Sequence, residues 1–207
     1  MWNEINFFKR PLFILICFLF VFSCSMLPEL KVNYKLPSEY GLLNGKKVVL
    51  IVKDNRSSEV FIAEGALKDF RNYSGDISYS VAKPDEPGFK VGLYKLIPMF
   101  RECFERRLKF LGLEVCDENV QGIPSITILL NEFTLDLVNR KWKAKIAYKA
   151  RFISNGEGEK VQSINGQAER LKLLGQKEAG RVLGELLSDM INKLDIVHFF
   201  IKDTSKN

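Results

Sequence analysis

Cys24 is the residue whose neighbours most narrowly prescribe its chemistry. It ends the run Val21-Phe22-Ser23-Cys24, behind a basic lead (Lys9, Arg10) and an apolar stretch from Pro11 to Phe22. A basic segment, an apolar segment and a small residue at the cut describe an export leader. A branched residue three positions before the cut, Ser23 at it and Cys after it predict that Cys24 becomes the mature N-terminus and takes lipid on its sulfur. The apolar stretch is shorter than the ~20 residues that span the hydrocarbon, and Pro28 and Glu29 follow it. Two or more acyl chains give stable anchoring. Ser25 stands where an Asp holds enteric-type acylated proteins at the inner membrane, so the predicted address is the outer membrane, facing the periplasm.

Three other groups carry potential chemistry. Asp54-Asn55-Arg56 is a polar cluster at the end of an apolar run. Arg56 suits an anionic ligand through its planar fork. The weightier alternative is structural, with Asp54 and Asn55 bonding their own backbone and Arg56 paired to a carboxylate. Trp142, with Lys143 and Lys145 (and Lys141 and Lys149 about them), makes a basic, aromatic-bearing strand that suits anionic headgroups or an acidic partner. Lysines also serve simply to keep strands from pairing edge to edge, and that reading weighs more. Cys103 and Cys116 remain once Cys17 leaves with the leader and Cys24 is acylated. They are either a disulfide, which the compartment permits, or two thiols that pack as small hydrophobes. The lone His198 reads as a packing or surface residue. The sequence shows no metal-ligand spacing, phosphate-binding glycine loop or nucleophile elbow, and no cofactor or metal is predicted. Paired carboxylates of the glycosidase kind are plentiful in type, but nothing singles out a pair.

These groups need elements to hold them. Val48 to Val52 is a continuous apolar run of mostly β-branched residues, which predicts a strand buried on both faces. Residues 59–91 are broken by Gly65, Gly75, Pro84, Pro87 and Gly88. Within them Val60 to Ala63 reads as a short strand or plug and Ile77 to Val81 as an edge strand. From Val91 to Leu111 the apolar period is helical, with Pro98 in the first turn or at a kink and Gly112 as C-cap. Leu113 to Cys116 begins another strand. Ser125 to Leu137, Lys141 to Ile153 and Glu159 to Leu171 read as an antiparallel meander with one wet face, turned at Asn139-Arg140 and at Asn155-Gly156-Glu157-Gly158. Gln176 to Ile196 is a second amphipathic helix. The expected division is a leader over 1–23, a lipidated tether over 24–44, one domain over 45–203 and a polar tail over 204–207.

Lys and Arg outnumber Asp and Glu by 31 to 25, a net charge of +6. Loss of Glu4, Lys9 and Arg10 with the leader leaves a mildly basic, well-mixed surface. With an envelope address, that balance argues against nucleic acid as a partner.

The leader ending at Cys24, the strand running into Asp54-Asn55-Arg56, the segment Ile126 to Phe133 containing Asn131, and a C-terminal helix ending near Phe199-Phe200-Ile201-Lys202 together resemble the YajG-like lipoproteins, an uncharacterised bacterial envelope family. Ala63 departs from the family pattern, which has Gly there. The resemblance implies an α+β fold, a mainly antiparallel sheet with two amphipathic helices packed on one face. It implies no activity. The expected role is that of a non-enzymatic binding or accessory factor, held to the membrane through the lipid on Cys24, with an envelope protein or glycan as partner. The alternative is a lipid-anchored hydrolase that uses carboxylates.

Overall fold

The computed structural model describes residues 28–116, 122–154, 157–173 and 175–200. The leader, Cys24 and the tail over 204–207 lie outside the described residues. In chain order the described elements are β1 (Leu30–Lys35), β2 (Lys47–Asp54), a 3-10 turn at Glu64–Ala66, β3 (Ile77–Ala82), β4 (Phe89–Tyr94), α1 (Leu96–Phe110), β5 (Glu114–Cys116), β6 (Ser125–Val138), β7 (Lys141–Ser154), β8 (Glu157–Leu171), α2 (Lys177–Lys193) and α3 (Ile196–Phe200).

The fold is α+β, and the meander is its frame. β7 alternates Trp142, Ala144, Ile146, Tyr148, Ala150 and Phe152 inward with Lys143, Lys145, Lys149 and Arg151 outward. It pairs antiparallel with β6 and β8 along nearly its whole length. Asn139 and Arg140 turn β6 into β7 with φ of 51° and 61°, the left-handed pair that a two-residue hairpin turn requires. The run Val48 to Val52 lies inside β2, which pairs in parallel with both β5 and β6, as a strand enclosed on both sides should.

The apolar faces of α1 and α2 cover the inner face of this sheet. Phe100 and Phe104 of α1 meet Tyr148 edge-on, at 5.8 and 5.3 Å between centroids. The Tyr148 hydroxyl in turn donates to the Met190 carbonyl of α2 at 2.8 Å. Pro98 sits in the first turn of α1, where its missing N–H costs nothing. Gly112, at φ +92°, ends that helix, with Leu113 N–H reaching back to the Leu108 carbonyl, a Schellman closure that favours glycine.

The structure corrects the expected layout in four places. Two sheets are present, of order β1-β3-β4 and β5-β2-β6-β7-β8, where one was expected. The tether over 24–44 gives way to a strand: Leu30, Val32 and Tyr34 are buried and alternate with exposed Lys31, Asn33 and Lys35. That is a period of two, which the flanking Pro28 and Pro37 obscure. The predicted edge strand Ile77 to Val81 is the centre of its sheet, parallel to β1 and antiparallel to β4. Val91 and Leu93, assigned by period to a helix, belong to β4.

β1 is the edge of the smaller sheet, and α2 closes that edge. Gly180, Gly184 and Ser188 recur every four residues, about 6 Å along a helix. Lys31, Asn33 and Lys35 recur every two, about 6.6 Å along a strand. The repeats match, so three helix positions meet three outward-facing peptide groups. Ser188 Oγ accepts from Lys35 N–H at 2.9 Å, and Asn192 Nδ2 donates to the Lys35 carbonyl at 2.9 Å. A Cβ on Gly184 would lie 2.8 Å from the Asn33 carbonyl oxygen, and one on Gly180 closer still to that of Lys31. Glycine is what lets helix and strand backbones approach this far.

Candidate functional site

Asp54 ends β2, and Arg56 folds back on it. Arg56 Nε donates to Asp54 Oδ1 at 2.9 Å and Nη2 to Oδ2 at 2.7 Å, a two-bonded fork. The Arg56 backbone N–H also donates to Asp54 Oδ1, and Nη1 donates to the Glu59 carbonyl. The Arg56 side chain is only 6% exposed. Hydrogen bonds from Arg56 hold the Asp54 carboxyl below the usual carboxylate range, against the opposing effect of burial. Asn55 turns away: its N–H donates to the Leu130 carbonyl and its amide to Asn131 Oδ1, both at 2.8 Å. Asn131 lies where the β6–β7 register slips between Leu130 and Glu132. The extra residue at such a bulge is left unpaired by the ladder, and the Asn55 side chain takes it up. The triplet is therefore satisfied internally.

The fork forms one wall of a cleft of about 620 Å³, within the usual range for ligand sites. Its floor and sides are Phe61, Ile62, Leu67, Phe70, Tyr73 and Ile97. Phe61 and Ile62 are tied to the sheet, Leu135 N–H donating to the Phe61 carbonyl at 2.8 Å and Ala63 N–H to the Leu135 carbonyl at 2.9 Å. The run Val60 to Ala63 is thus a single bridge to β6 and a lining segment, the plug of the two expected alternatives. Lys95 stands at the rim, bound to Asp76 at 2.8 Å and to the Ser74 carbonyl at 2.8 Å. The Tyr73 hydroxyl is buried against the cleft with no hydrogen-bond partner among the described residues. Burial, seconded by the Asp76 charge, raises its pKa, so it stays a neutral donor.

Trp142 does not join a surface with Lys143 and Lys145. Neighbouring strand residues point to opposite faces, and the indole is fully buried while both lysines are exposed. It packs behind the cleft, edge-on to Phe70 at 5.9 Å between centroids. Lys143 and Lys145 line the outer face with Gln167 and Glu169. Of the residues singled out by sequence, only Asp54 and Arg56 reach the cleft. Tyr73, Phe70, Ile97 and Lys95 were missed: Phe70 and Tyr73 come from the stretch whose glycines and prolines hide any period, and Lys95 and Ile97 from the start of α1, which only the tertiary fold brings to the cleft.

Cys103 and Cys116 are free thiols, the first buried and the second half-buried. Of the two alternatives open in the sequence, the structure has the free thiols: Cys103 faces the core from α1 and Cys116 ends β5. Burial pushes the Cys103 thiol up to about 12, and only a thiolate attacks an alkylating reagent. Iodoacetamide at neutral pH is expected to modify Cys116 and spare Cys103 in the native protein, and to modify both in denaturant. Peptide mapping reads this directly; equal native labelling contradicts the burial, and no labelling in unreduced denatured protein restores the disulfide.

No protein-family model matches the chain, and no curated protein matches it. Among solved structures it is similar to a Xanthomonas campestris protein of the family model DUF330, at 13% identity and a TM-score of 0.47, over 82% of this chain and 92% of that one. It is also similar to the rare lipoprotein B of Shewanella oneidensis (6% identity, TM-score 0.40, 70% and 89% covered). A lipoprotein of Neisseria meningitidis matches at 10% identity and a TM-score of 0.25, over 72% and 99%. Likeness at this level transfers no residue and no activity. Among the described residues no helix is long and apolar enough to cross a membrane, and no group of three His, Cys, Asp or Glu is placed to hold a metal.

Proposed function

We propose that this chain is a lipid-anchored protein of the bacterial outer membrane, facing the periplasm, that works by binding rather than by catalysis. It is an accessory factor of envelope assembly or transport whose cleft takes an apolar side chain of a protein partner. One observation carries the reading: the cleft has apolar walls, and of the ionic groups lining it Asp54, Arg56 and Lys95 are already engaged within the chain, which leaves the exposed Glu59 as the one without an ion pair among the described residues. A hydrolase built on carboxylates needs one acid with a raised pKa. Among the described residues, every carboxylate with a displaced pKa is displaced downward, by donors such as Ser78 on Glu29, Arg56 on Asp54 and Lys95 on Asp76.

The test is a pull-down of the lipidated protein from crosslinked envelopes, beside Val60→Asp and Arg56→Ala. Val60 lines the cleft and is exposed, so its replacement leaves the core intact. Recovery of a defined partner is expected to fall about tenfold with Val60→Asp, the equivalent of roughly 1.4 kcal/mol, at an unchanged melting temperature. Equal recovery with all three proteins sinks the reading. The mass of the Cys24 peptide from the same preparation reports the acyl groups.

A further inference from the structure

The first described residues emerge at one end of the molecule. Pro28 and Glu29 share a cleft with Asp69, Arg71, Gln176 and Lys177. The turn joining β6 to β7 comes to the same end, because Lys172 N–H donates to the Arg140 carbonyl at 2.8 Å and Lys172 Nζ pairs with Asp69. Gln176 of the α2 entry donates to the Asp69 carbonyl. This end exposes large apolar side chains: Leu173 at 73% and Leu171 at 58%. It also exposes Lys68, Arg71, Arg140 and Lys177, none of which has an ion-pair partner among the described residues. Of the acids nearby, Glu29, Asp69 and Glu169 are taken up by Lys31 and Lys90, by Lys172 and by Lys141 respectively, while Glu64 is exposed.

The geometry points to this end as a docking face for an anionic phospholipid surface. The inference rests on the Cys24 anchor proposed above and adds an orientation to it. Pro28 lies four residue steps beyond Cys24, and four steps reach at most about 14 Å. Acyl chains on Cys24 therefore hold this end, and no other, within a Debye length or two of the headgroups. Exposed leucines between unpaired cations suit that interface: the apolar groups enter the boundary layer and the cations meet phosphates. Each cation near an anionic surface strengthens binding about fivefold. A four-residue link alone would leave the domain free to tilt; the patch fixes which face lies down.

The test uses the lipidated protein in vesicles of phosphatidylethanolamine and phosphatidylglycerol (3:1), and in phosphatidylcholine vesicles. A fluorophore is placed at Leu173→Cys or, at the opposite end of the sheet, at Ile153→Cys, in a Cys116→Ser background. Quenching by headgroup spin-labelled lipid is expected to be several-fold stronger at position 173 than at 153 in the anionic vesicles. The contrast should weaken in phosphatidylcholine. It should collapse when Lys68, Arg71, Arg140 and Lys177 are all changed to Glu, with circular dichroism unaltered. Equal quenching at both positions, or a contrast indifferent to lipid charge and to the four reversals, overturns the docking face. A photocrosslink from position 173 that goes to a protein in native envelopes does so too. An unmodified Cys24 peptide overturns the anchor alone, and the quenching contrast of protein added to vesicles still decides the face.

Discussion

Trp142→Ala is expected to lower the unfolding free energy by about 3–5 kcal/mol, the range for deleting a large aromatic side chain from a packed core. Set against a total stability of roughly 5–15 kcal/mol for a domain, that is a large share. The indole is fully buried, lies edge-on to Phe70 and has Lys172 Nζ 5.6 Å from its ring centroid. Its Nε1–H is buried without a hydrogen-bond partner among the described residues. Trp142→Phe is therefore expected to cost less than about 2 kcal/mol, because volume is lost but no hydrogen bond is, and an unsatisfied donor is relieved. Urea unfolding followed by circular dichroism distinguishes the cases: the midpoint should fall steeply for alanine and slightly for phenylalanine, with similar slopes. An alanine variant within 1 kcal/mol of the parent contradicts the buried placement and returns Trp142 to the surface.

Gly180→Ala is expected to destabilise the domain by about 2 kcal/mol or more, against the preference of the helix itself. In a free helix the change is worth nearly 1 kcal/mol in favour of alanine. Here the added methyl points at the Lys31 carbonyl, a backbone group with no flexible end to give way. To admit it α2 must lift from β1, which opens the edge that Ser188 and Asn192 close. Overpacking of this kind costs 1–3 kcal/mol or more, so sterics win over propensity. Gly184→Ala should behave alike. Gly158→Ala, where a Cβ meets nothing within 4 Å, serves as the control and should leave the melting temperature unchanged. Three equal melting temperatures contradict the close approach of helix and strand.

The meander and the two long helices were legible because their apolar periods run for many residues without interruption. The first helix was overextended backwards, since Val91 and Leu93 continue its period by chance while Leu93 pairs with Ser78 of β3 and Val91 is the residue skipped at the β3–β4 bulge. β1 was hidden by brevity: six residues between two prolines give a weak alternation, and its burial depends on partners far along the chain, Ile77 to Ala82 and α2. The pairing of Arg56 with Asp54 was one of the arrangements the sequence allowed, beside another carboxylate or an anionic ligand. The cleft beside it was not legible, because its walls come from a turn, a bridge and a helix start whose meeting is decided by tertiary contacts. The misplacement of Trp142 was avoidable, for the two-residue period that puts the lysines outside puts the indole inside.

β1 also determines how the domain responds to pulling. A force delivered through Pro28 enters a strand held on one side by the in-register parallel ladder from Leu30↔Ile77 to Lys35↔Ala82, and on the other by α2. Along the strand axis such a pull loads all six pairings together in shear, rather than peeling them one at a time. Resistance to it is a matter of the rate at which β1 leaves, which equilibrium stability does not measure. The same strand that makes the N-terminal segment part of the core makes it the route by which tension applied at Pro28 reaches the whole domain.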